Sequence, residues 1–422
     1  MANWKSTMVQ YFAAGAKNAE QKRLGVEVEH FIVDSSTQEA VAYAGENGVR
    51  TILSLLIAQY PNAVILPEDE FLGFQVPEFS VTLEPAAQLE ISIAPASSIA
   101  CVEEIYRSFS LRLREILSGF GYEARTVGCQ PVSQVEELTL IPKQRYAWMN
   151  QYFRTTGTGG AEMMRGTAST QVSIDYASEE DFRLKLQAAY YYGPVLKLLM
   201  DNVPTFRGQA PDTYLKRTDI WRRTDPARCG ILPGVFSKHY GFEDYADFIG
   251  HMPPIFLKRG KDAELTGFRT VADIFKDRTM DEELLLHVLS MAFPDVRLKQ
   301  YLEIRFADSV PLPFLLAYCA LLKGLLYSEA GQGYAQEKIH GGRLKEKDIR
   351  VAEDDLMRRG WEAGVYGETA KKQAGILLEI ARGELPEKER SLLDPLETVI
   401  SYGGICRIPS EIAKDLYSQM ES

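Results

Sequence analysis

Two carboxylates one residue apart in a β-forming run constrain this chain more than any other feature. Glu27 and Glu29 alternate with Val26 and Val28 between residues 23 and 34. Successive side chains of a strand point to opposite faces, so both glutamates lie on one face and both valines on the other. The stretch therefore predicts a strand with one buried face and one strongly acidic face.

Two later stretches repeat this alternation. Residues 88–93 place Glu90 among apolar neighbours, and residues 302–306 do the same with Glu303 and Arg305. One such strand alone is typical of the solvated face of an antiparallel sheet, but three together favour a shared site. Carboxylates gathered on one face raise one another's pKa unless cations join them. Mg2+ is a usual solution because it bridges carboxylates to nucleotide phosphates, and Arg305 is placed to meet a phosphate oxygen.

Composition limits the partners and the compartment. The net charge of -11 and the pI near 5.2 argue against nucleic acid as the main partner. The five cysteines form no CxxC pair and no N-terminal signal peptide is evident, which predicts reduced thiols in a cytoplasmic protein. Pro313, Lys323 and Gly324 break the longest apolar stretch, so residues 310–327 predict a buried helix and no membrane partner.

The order of predicted elements indicates an α+β protein. Helices are predicted within residues 1–20, after Ser97 or Ser98, and after Ser178, and a hairpin is predicted over residues 80–93. Nearly everything beyond residue 311 has helical periodicity. We therefore expect one catalytic domain over residues 1–422, with a sheet-bearing core to about 310 and a helical layer over 311–422.

Two further stretches have open interpretations. The basic residues between 217 and 228, grouped around Trp221, indicate either solvated surface or a site for a substrate's carboxylates. The glycines of residues 157–160 lack the GxxxxGK[ST] pattern of a phosphate-binding loop, so they predict a flexible loop.

Five blocks, at residues 25–31, 84–92, 163–175, 217–228 and 293–305, resemble the glutamate-cysteine ligase family in order and spacing. The resemblance is to the plant and bacterial branch, which belongs with the glutamine synthetase-like ligases. It implies a curved, mainly antiparallel sheet of about six strands, backed by helices, whose concave face holds ATP, Mg2+ and L-glutamate. It also implies an ATP-dependent ligase that forms γ-glutamyl phosphate and then γ-glutamylcysteine from L-cysteine, within glutathione biosynthesis.

The resemblance implies a role for each candidate residue. The expected metal ligands are Glu27, Glu29, Glu84, Glu90 and Glu303. The expected catalytic residues are Arg305 and Glu303, and the expected ATP-binding residues are Arg297 and Arg305. The expected substrate-binding residues are Thr167, Ser169, Gln171, Arg217, Trp221 and Arg228. Apart from the resemblance, the need to shield an acyl phosphate from water predicts a mobile cover, and the glycines at 157–160 are either its hinge or a loop with no catalytic part.

Two departures from the plant pattern bear on the amine substrate. Gly166 stands where the plant enzymes carry an arginine, and Leu312-Pro313 stands where they carry a tryptophan and an arginine. One alternative is thus a carboxylate-amine ligase that joins glutamate to an amine other than cysteine. Another is a non-catalytic nucleotide sensor, which loss of an acidic position would favour, yet every expected carboxylate is present.

Overall fold

The centre of the structure is a β-sheet that carries the acidic strands. The structure is a computed structural model and describes residues 3–18, 20–68, 70–259 and 262–418. The strands within these residues are β1 (Leu24–Asp34), β2 (Val64–Ile65), β3 (Gly73–Gln75), β4 (Phe79–Leu83), β5 (Leu89–Ala96), β6 (Tyr122–Arg125), β7 (Ser169–Ile174), β8 (Cys229–Gly230), β9 (Ile255–Arg259), β10 (Asp262–Gly267), β11 (Phe293–Pro294), β12 (Val296–Leu298), β13 (Leu302–Asp308), β14 (Gly364–Val365) and β15 (Glu368–Thr369).

Nine of these strands form one sheet in the order β12-β13-β7-β1-β5-β4-β3-β2, with β6 also paired to β1. Every pairing in this sheet is antiparallel. The expected mainly antiparallel sheet is therefore confirmed. It has more than the expected six strands because β2, β3 and β12 are pieces of two or three residues. The remaining strands form three separate pairs, β9 with β10, β8 with β11, and β14 with β15.

The three acidic strands lie together in this sheet, as the alternation predicts. Glu29 pairs with Glu90 across β1 and β5, and Glu27 pairs with Gln171 across β1 and β7. Strand β13, which carries Glu303, pairs with the other edge of β7. Because directly paired residues point to the same side of a sheet, these polar side chains share one face. The alternating apolar side chains are buried on the opposite face.

Helices cover the apolar face of the sheet and enlarge the hydrophobic core. They are α1 (Asn3–Ala14), α2 (Val49–Ile57), α3 (Ile99–Ser118), α4 (Gln144–Phe153), α5 (Gly160–Gly166), α6 (Glu179–Leu199), α7 (Lys216–Arg222), α8 (Phe242–His251), α9 (Val271–Ile274), α10 (Glu282–Leu289), α11 (Leu312–Leu326), α12 (Glu329–Gly342), α13 (Glu346–Arg359), α14 (Ala370–Glu384), α15 (Glu387–Arg390), α16 (Asp394–Tyr402) and α17 (Ser410–Ser418). Short 3-10 helices lie at Gly360–Glu362, Ser391–Leu393 and Ile405–Arg407. Helix α3 packs against β5, and α6 packs against β13.

Local signals set the helix starts. The Ser98 hydroxyl accepts a hydrogen bond from the Cys101 N–H and begins α3, while the Ser178 hydroxyl accepts one from the Asp181 N–H and begins α6. A serine at this position satisfies an N–H group that the first turn of a helix leaves unpaired. Both predicted starts are confirmed, with Ser98 chosen over Ser97.

The C-terminal helices share the core of the sheet. One large hydrophobic cluster includes residues from Trp4 to Ile405, and α11 is buried within it against α3 and α14. This continuity supports the prediction of one domain. No single helix in the described ranges is long and apolar enough to cross a membrane, although α11 and α12, which meet at a bend of 71°, pass that test as a pair.

Candidate active site

A cleft of about 1070 Å³ opens above the polar face of the sheet. The helices α4 and α10 and the hairpin of β9 and β10 contribute its outer wall, while β1, β5, β7 and β13 contribute the opposite side. The expected site residues that line it are Glu27, Glu29, Glu84, Glu90, Thr167, Gln171, Trp221, Arg297 and Arg305. The structure thus brings together most of the residues that sequence alone selected.

Four of these residues, Glu27, Glu29, Glu84 and Glu90, form what we call the carboxylate floor. Within the described part of the chain, none of the four forms an ion pair with a cationic side chain. Glu29 accepts hydrogen bonds from Ser169, at 2.8 Å from the backbone nitrogen and 2.9 Å from the hydroxyl. Such neutral donors orient the carboxylate but leave its charge uncompensated.

The pKa values of three glutamates of the carboxylate floor are raised. Burial, followed by the neighbouring Glu84, raises the pKa of Glu29 to about 7. Burial and then Glu303 raise the pKa of Glu27, although nearby cations oppose that shift. Burial and three neighbouring carboxylates raise the pKa of Glu90 well above its usual range. A cation bound among these groups would favour their charged forms and so oppose both the burial and the repulsion that raise these pKa values.

The floor fits a metal that is shared with a ligand. No group of three or more His, Cys, Asp or Glu side chains among the described residues is arranged to hold a metal ion alone. Mg2+ is commonly held by only one or two carboxylates, with phosphate oxygens and water completing its shell. The oxygen donors of the floor have the chemistry for this arrangement, and a closed protein cage is not required for it.

Three cations surround Glu303 and form what we call the cation wall, namely Arg297, Lys299 and Arg305. Glu303 is fully buried, and its two oxygens lie 2.7 and 2.9 Å from nitrogens of Arg297, 3.2 Å from Lys299 Nζ and 3.0 Å from Arg305 Nη1. Burial alone would raise the pKa of Glu303, but the three cations hold it well below the usual range.

This geometry speaks against the expected metal role of Glu303. Four cationic nitrogens already occupy the positions around its oxygens, and a metal ion among them would be repelled. We therefore propose that Glu303 positions the neighbouring cations, and its metal role stays a prediction. Its contacts instead fix the two guanidinium groups that line the cleft, those of Arg297 and Arg305.

Gln171 joins the floor to the wall. Its Nε2 donates to Glu29 Oε1 at 3.3 Å, and its Oε1 accepts a hydrogen bond from Arg305 Nη1. The amide orientation follows from these partners, because only nitrogen donates and only oxygen accepts. Gln171 thus lies between Glu29 and Arg305 Nη1, the nitrogen that also contacts Glu303.

Arg217 and Trp221 lie behind Arg305. The Arg217 guanidinium lies 5.5 Å from the centre of the Trp221 ring and donates to the Arg305 carbonyl oxygen at 3.3 Å. Arg217 Nε and Trp221 Nε1 are buried without a hydrogen-bond partner among the described residues. These residues and Arg305 line a second cavity of about 30 Å³, so Arg217 is close to the cleft but not on its wall.

The structure does not bring Arg228 to the cleft. Its side chain is fully buried and donates to Asp225 at 2.6 Å, to the Met291 carbonyl at 3.0 Å and to the Pro253 carbonyl at 2.8 Å. Every one of these partners belongs to the protein. The expected substrate contact is therefore replaced by an anchor that holds the segment leading into β9.

The glycines near residue 160 are packed rather than hinge-like. A Cβ on Gly157 would lie 2.1 Å from the Arg223 carbonyl oxygen, and the Thr158 and Gly159 N–H groups both donate to that same oxygen. The expectation of a hinge here is not supported, because the segment is hydrogen-bonded to the end of α7. A Cβ on Gly166 would lie 2.6 Å from Val135 Cγ1, so this position has no room for a side chain.

Sequence reasoning missed the outer wall of the cleft. This wall includes Arg145, Trp148, Phe256, Lys258 and His287. The β-forming residues of 255–267 are the one signal that points to β9 and β10, but no local pattern indicates that this hairpin faces the acidic strands.

The Thr167 hydroxyl, an expected substrate contact, donates to the Met163 carbonyl at 2.7 Å at the edge of the same cleft.

Known proteins resemble this chain over nearly its whole length. The sequence model of glutamate-cysteine ligase family 2 matches residues 23–403. The chloroplastic glutamate-cysteine ligase A of Oryza sativa subsp. indica is 32% identical over 431 residues, which span 98% of this chain and 84% of that protein. The chloroplastic glutamate-cysteine ligase of Brassica juncea is 31% identical over 424 residues, spanning 90% and 81% respectively.

A solved structure has the same fold at much lower sequence identity. The glutamate-cysteine ligase of Francisella tularensis, in complex with AMP, superposes with a TM-score of 0.56 at 10% identity. The superposition covers 95% of this chain and 89% of that one. At this identity the match supports the fold alone.

Proposed function

Because this chain belongs to glutamate-cysteine ligase family 2, we propose that it acts as an ATP-dependent ligase that joins L-glutamate to L-cysteine. The product is γ-glutamylcysteine. We assign the reaction to this cleft on one observation. The carboxylate floor and the cation wall face the same space. We also propose that the protein acts in the cytoplasm.

The proposed reaction has two steps. An oxygen of the glutamate γ-carboxylate attacks the γ-phosphorus of ATP, ADP leaves, and γ-glutamyl phosphate forms. The amino group of cysteine then attacks the acyl carbon, loses a proton and releases inorganic phosphate. Phosphoryl transfer of this kind needs positioned charges more than it needs a protein nucleophile.

The cation wall supplies charge to the first step. Arg305 points into the cleft and presents a planar guanidinium to the oxygens of the transferred phosphoryl group, and Arg297 adds a second. Glu303 holds both groups in place through its ion pairs. Fixed donors of this kind stabilise developing charge without having to reorganise when the reaction occurs.

The carboxylate floor is the proposed site of the metal. Membership in an ATP-dependent ligase family is consistent with a divalent metal requirement, and we propose Mg2+ within the carboxylate floor of Glu27, Glu29, Glu84 and Glu90, where one or two of these carboxylates would hold an ion together with phosphate oxygens. The ion would neutralise phosphate charge and orient the triphosphate. Ser169 and Gln171 orient Glu29 for this purpose, and Arg217, Trp221 and Thr167 remain the proposed neighbours of glutamate.

An isotope experiment tests this reaction. Turnover of glutamate labelled with 18O at its γ-carboxylate should place one labelled oxygen in the released phosphate, because that oxygen becomes the bridge of the acyl phosphate. Omitting cysteine is the control for spontaneous hydrolysis. Unlabelled phosphate during amide formation would rule out the acyl phosphate route. Repeating the assay with a panel of amines compares cysteine with the alternative acceptors.

A further inference from the structure

The outer wall of the cleft has features that the acidic chemistry does not use. Trp148 of α4 packs on Phe256 of β9 with ring centroids 4.6 Å apart, and Phe256 packs on His287 of α10 at the same distance. Phe256 is buried, whereas the Trp148 ring is partly exposed and lines the cleft. Trp148 therefore presents to the cleft an aromatic ring that packs against a buried phenylalanine.

His287 offers a hydrogen-bond acceptor beside this surface. Its Nε2 lies 2.7 Å from the Phe256 carbonyl oxygen, and a carbonyl only accepts, so Nε2 carries the proton. Burial lowers the pKa of His287 to about 4, so the ring is neutral near pH 7. Its Nδ1 then carries a lone pair that receives no hydrogen bond from the described residues, at a residue that lines the cleft.

The hairpin brings a cation to the same wall. Lys258 lies two residues beyond Phe256 on β9, so its side chain leaves the strand on the same face and reaches the cleft. Ile255, which precedes Phe256, has φ +66°, a conformation that β-branched residues rarely adopt. Strained backbone of this kind persists where the surroundings impose it, and it is frequent at ligand sites.

We propose that this outer wall is the purine site of the cleft, where adenine stacks on Trp148 and donates its exocyclic amino group to His287 Nδ1. Lys258 then contacts the ribose or phosphate oxygens, and the triphosphate runs inward to the carboxylate floor and the cation wall. Guanine presents an oxygen acceptor where adenine presents an amino donor, so His287 disfavours it. This inference rests on the proposed function, because it assigns the base of the same ATP.

Binding of two probes, each with Mg2+ and without glutamate, tests the proposal by calorimetry. The probes are AMP-PNP, which carries the base, and inorganic tripolyphosphate, which lacks it. Trp148→Ala should weaken AMP-PNP binding about 5- to 150-fold and leave tripolyphosphate binding unchanged, because base stacking is lost. Trp148→Phe, the matched control, should retain most of the AMP-PNP affinity because it keeps an aromatic face. GTP should support turnover about ten- to a hundred-fold less well than ATP, because guanine leaves two acceptors facing each other.

Each outcome decides between explanations. Unchanged AMP-PNP affinity in Trp148→Ala would overturn the base site and leave the ligase proposal standing. An equal loss of affinity for both probes would also overturn it, because the tryptophan would then support the fold or the phosphates. A wild-type protein that binds neither probe and shows no turnover would instead defeat the proposed function itself.

Discussion

Replacing Glu303 by Gln tests whether this residue positions the cation wall or binds metal. The change keeps the size of the side chain but removes the only carboxylate that lies within ion-pair distance of Arg297 and Arg305 in the described structure. It also places an amide NH2 group where cationic nitrogens now donate. The expected result is an unstable protein with slow turnover and an unchanged requirement for Mg2+.

The magnitude follows from the burial of the group. Glu303 is fully buried, and removing one partner from a buried ion pair typically costs about 3–5 kcal/mol, because the remaining charges lose their compensation. We expect the free energy of unfolding to fall by about this amount. Turnover should fall as well, because Arg305 then loses the contact that fixes its guanidinium group.

The assay pairs urea unfolding with the Mg2+ dependence of turnover. Glu389→Gln is a matched control, since Glu389 is also buried and lies 2.6 Å from Lys323 Nζ in the C-terminal helical layer, away from both cavities. It should lose comparable stability but keep its turnover number. A Glu303→Gln protein of normal stability that needs ten times more Mg2+ would refute the positioning role and restore the metal role.

Two further changes address the carboxylate floor. Glu90→Gln should abolish turnover without loss of stability, because burial and the neighbouring carboxylates already disfavour the charge at this position, and full activity would contradict the metal assignment. In metal-free protein, the pKa of Glu29 is about 7 in the folded state and lower in the unfolded state, so the folded protein binds this proton more tightly. The free energy of unfolding should therefore fall as the pH rises from about 5 to 8, by up to about 3 kcal/mol. Added Mg2+ should therefore raise the thermal midpoint more at pH 8 than at pH 6, and an equal rise at both would count against metal binding at Glu29.

Local patterns predicted much of the fold because their causes are local. The starts of α3 and α6 depend on one serine hydroxyl and one N–H group three residues on, and both are visible in the sequence. The acidic alternation of β1 and β5 likewise gives the face of each residue. That the strands share one sheet was a hypothesis drawn from repetition, and the pairing of Glu29 with Glu90 confirms it.

Long-range contacts decided the features that sequence reasoning missed. The register of β12 against β13 sets Arg297 opposite Glu303, and this pairing turns a presumed metal ligand into the centre of an ion-pair network. Arg228 looked like a substrate contact because basic residues surround it in the sequence, yet its partners come from residues 225, 253 and 291. The hairpin of β9 and β10 packs on α4 and α10 through β9, and this long-range packing brings it to the cleft.

The position of Gln171 explains how floor and wall can coexist a few ångströms apart. An arginine next to an uncompensated carboxylate would ordinarily form an ion pair with it, and both groups would then be lost to the substrates. The neutral amide prevents this by donating to Glu29 and accepting from Arg305, so Arg305 stays paired with Glu303 and does not pair with Glu29. A glutamate at this position would add a fifth carboxylate and take Arg305 into a new ion pair, whereas an alanine would let Arg305 and Glu29 approach each other. The proposed site therefore depends on a residue that carries no charge, because a neutral group with both a donor and an acceptor keeps Arg305 and Glu29 apart.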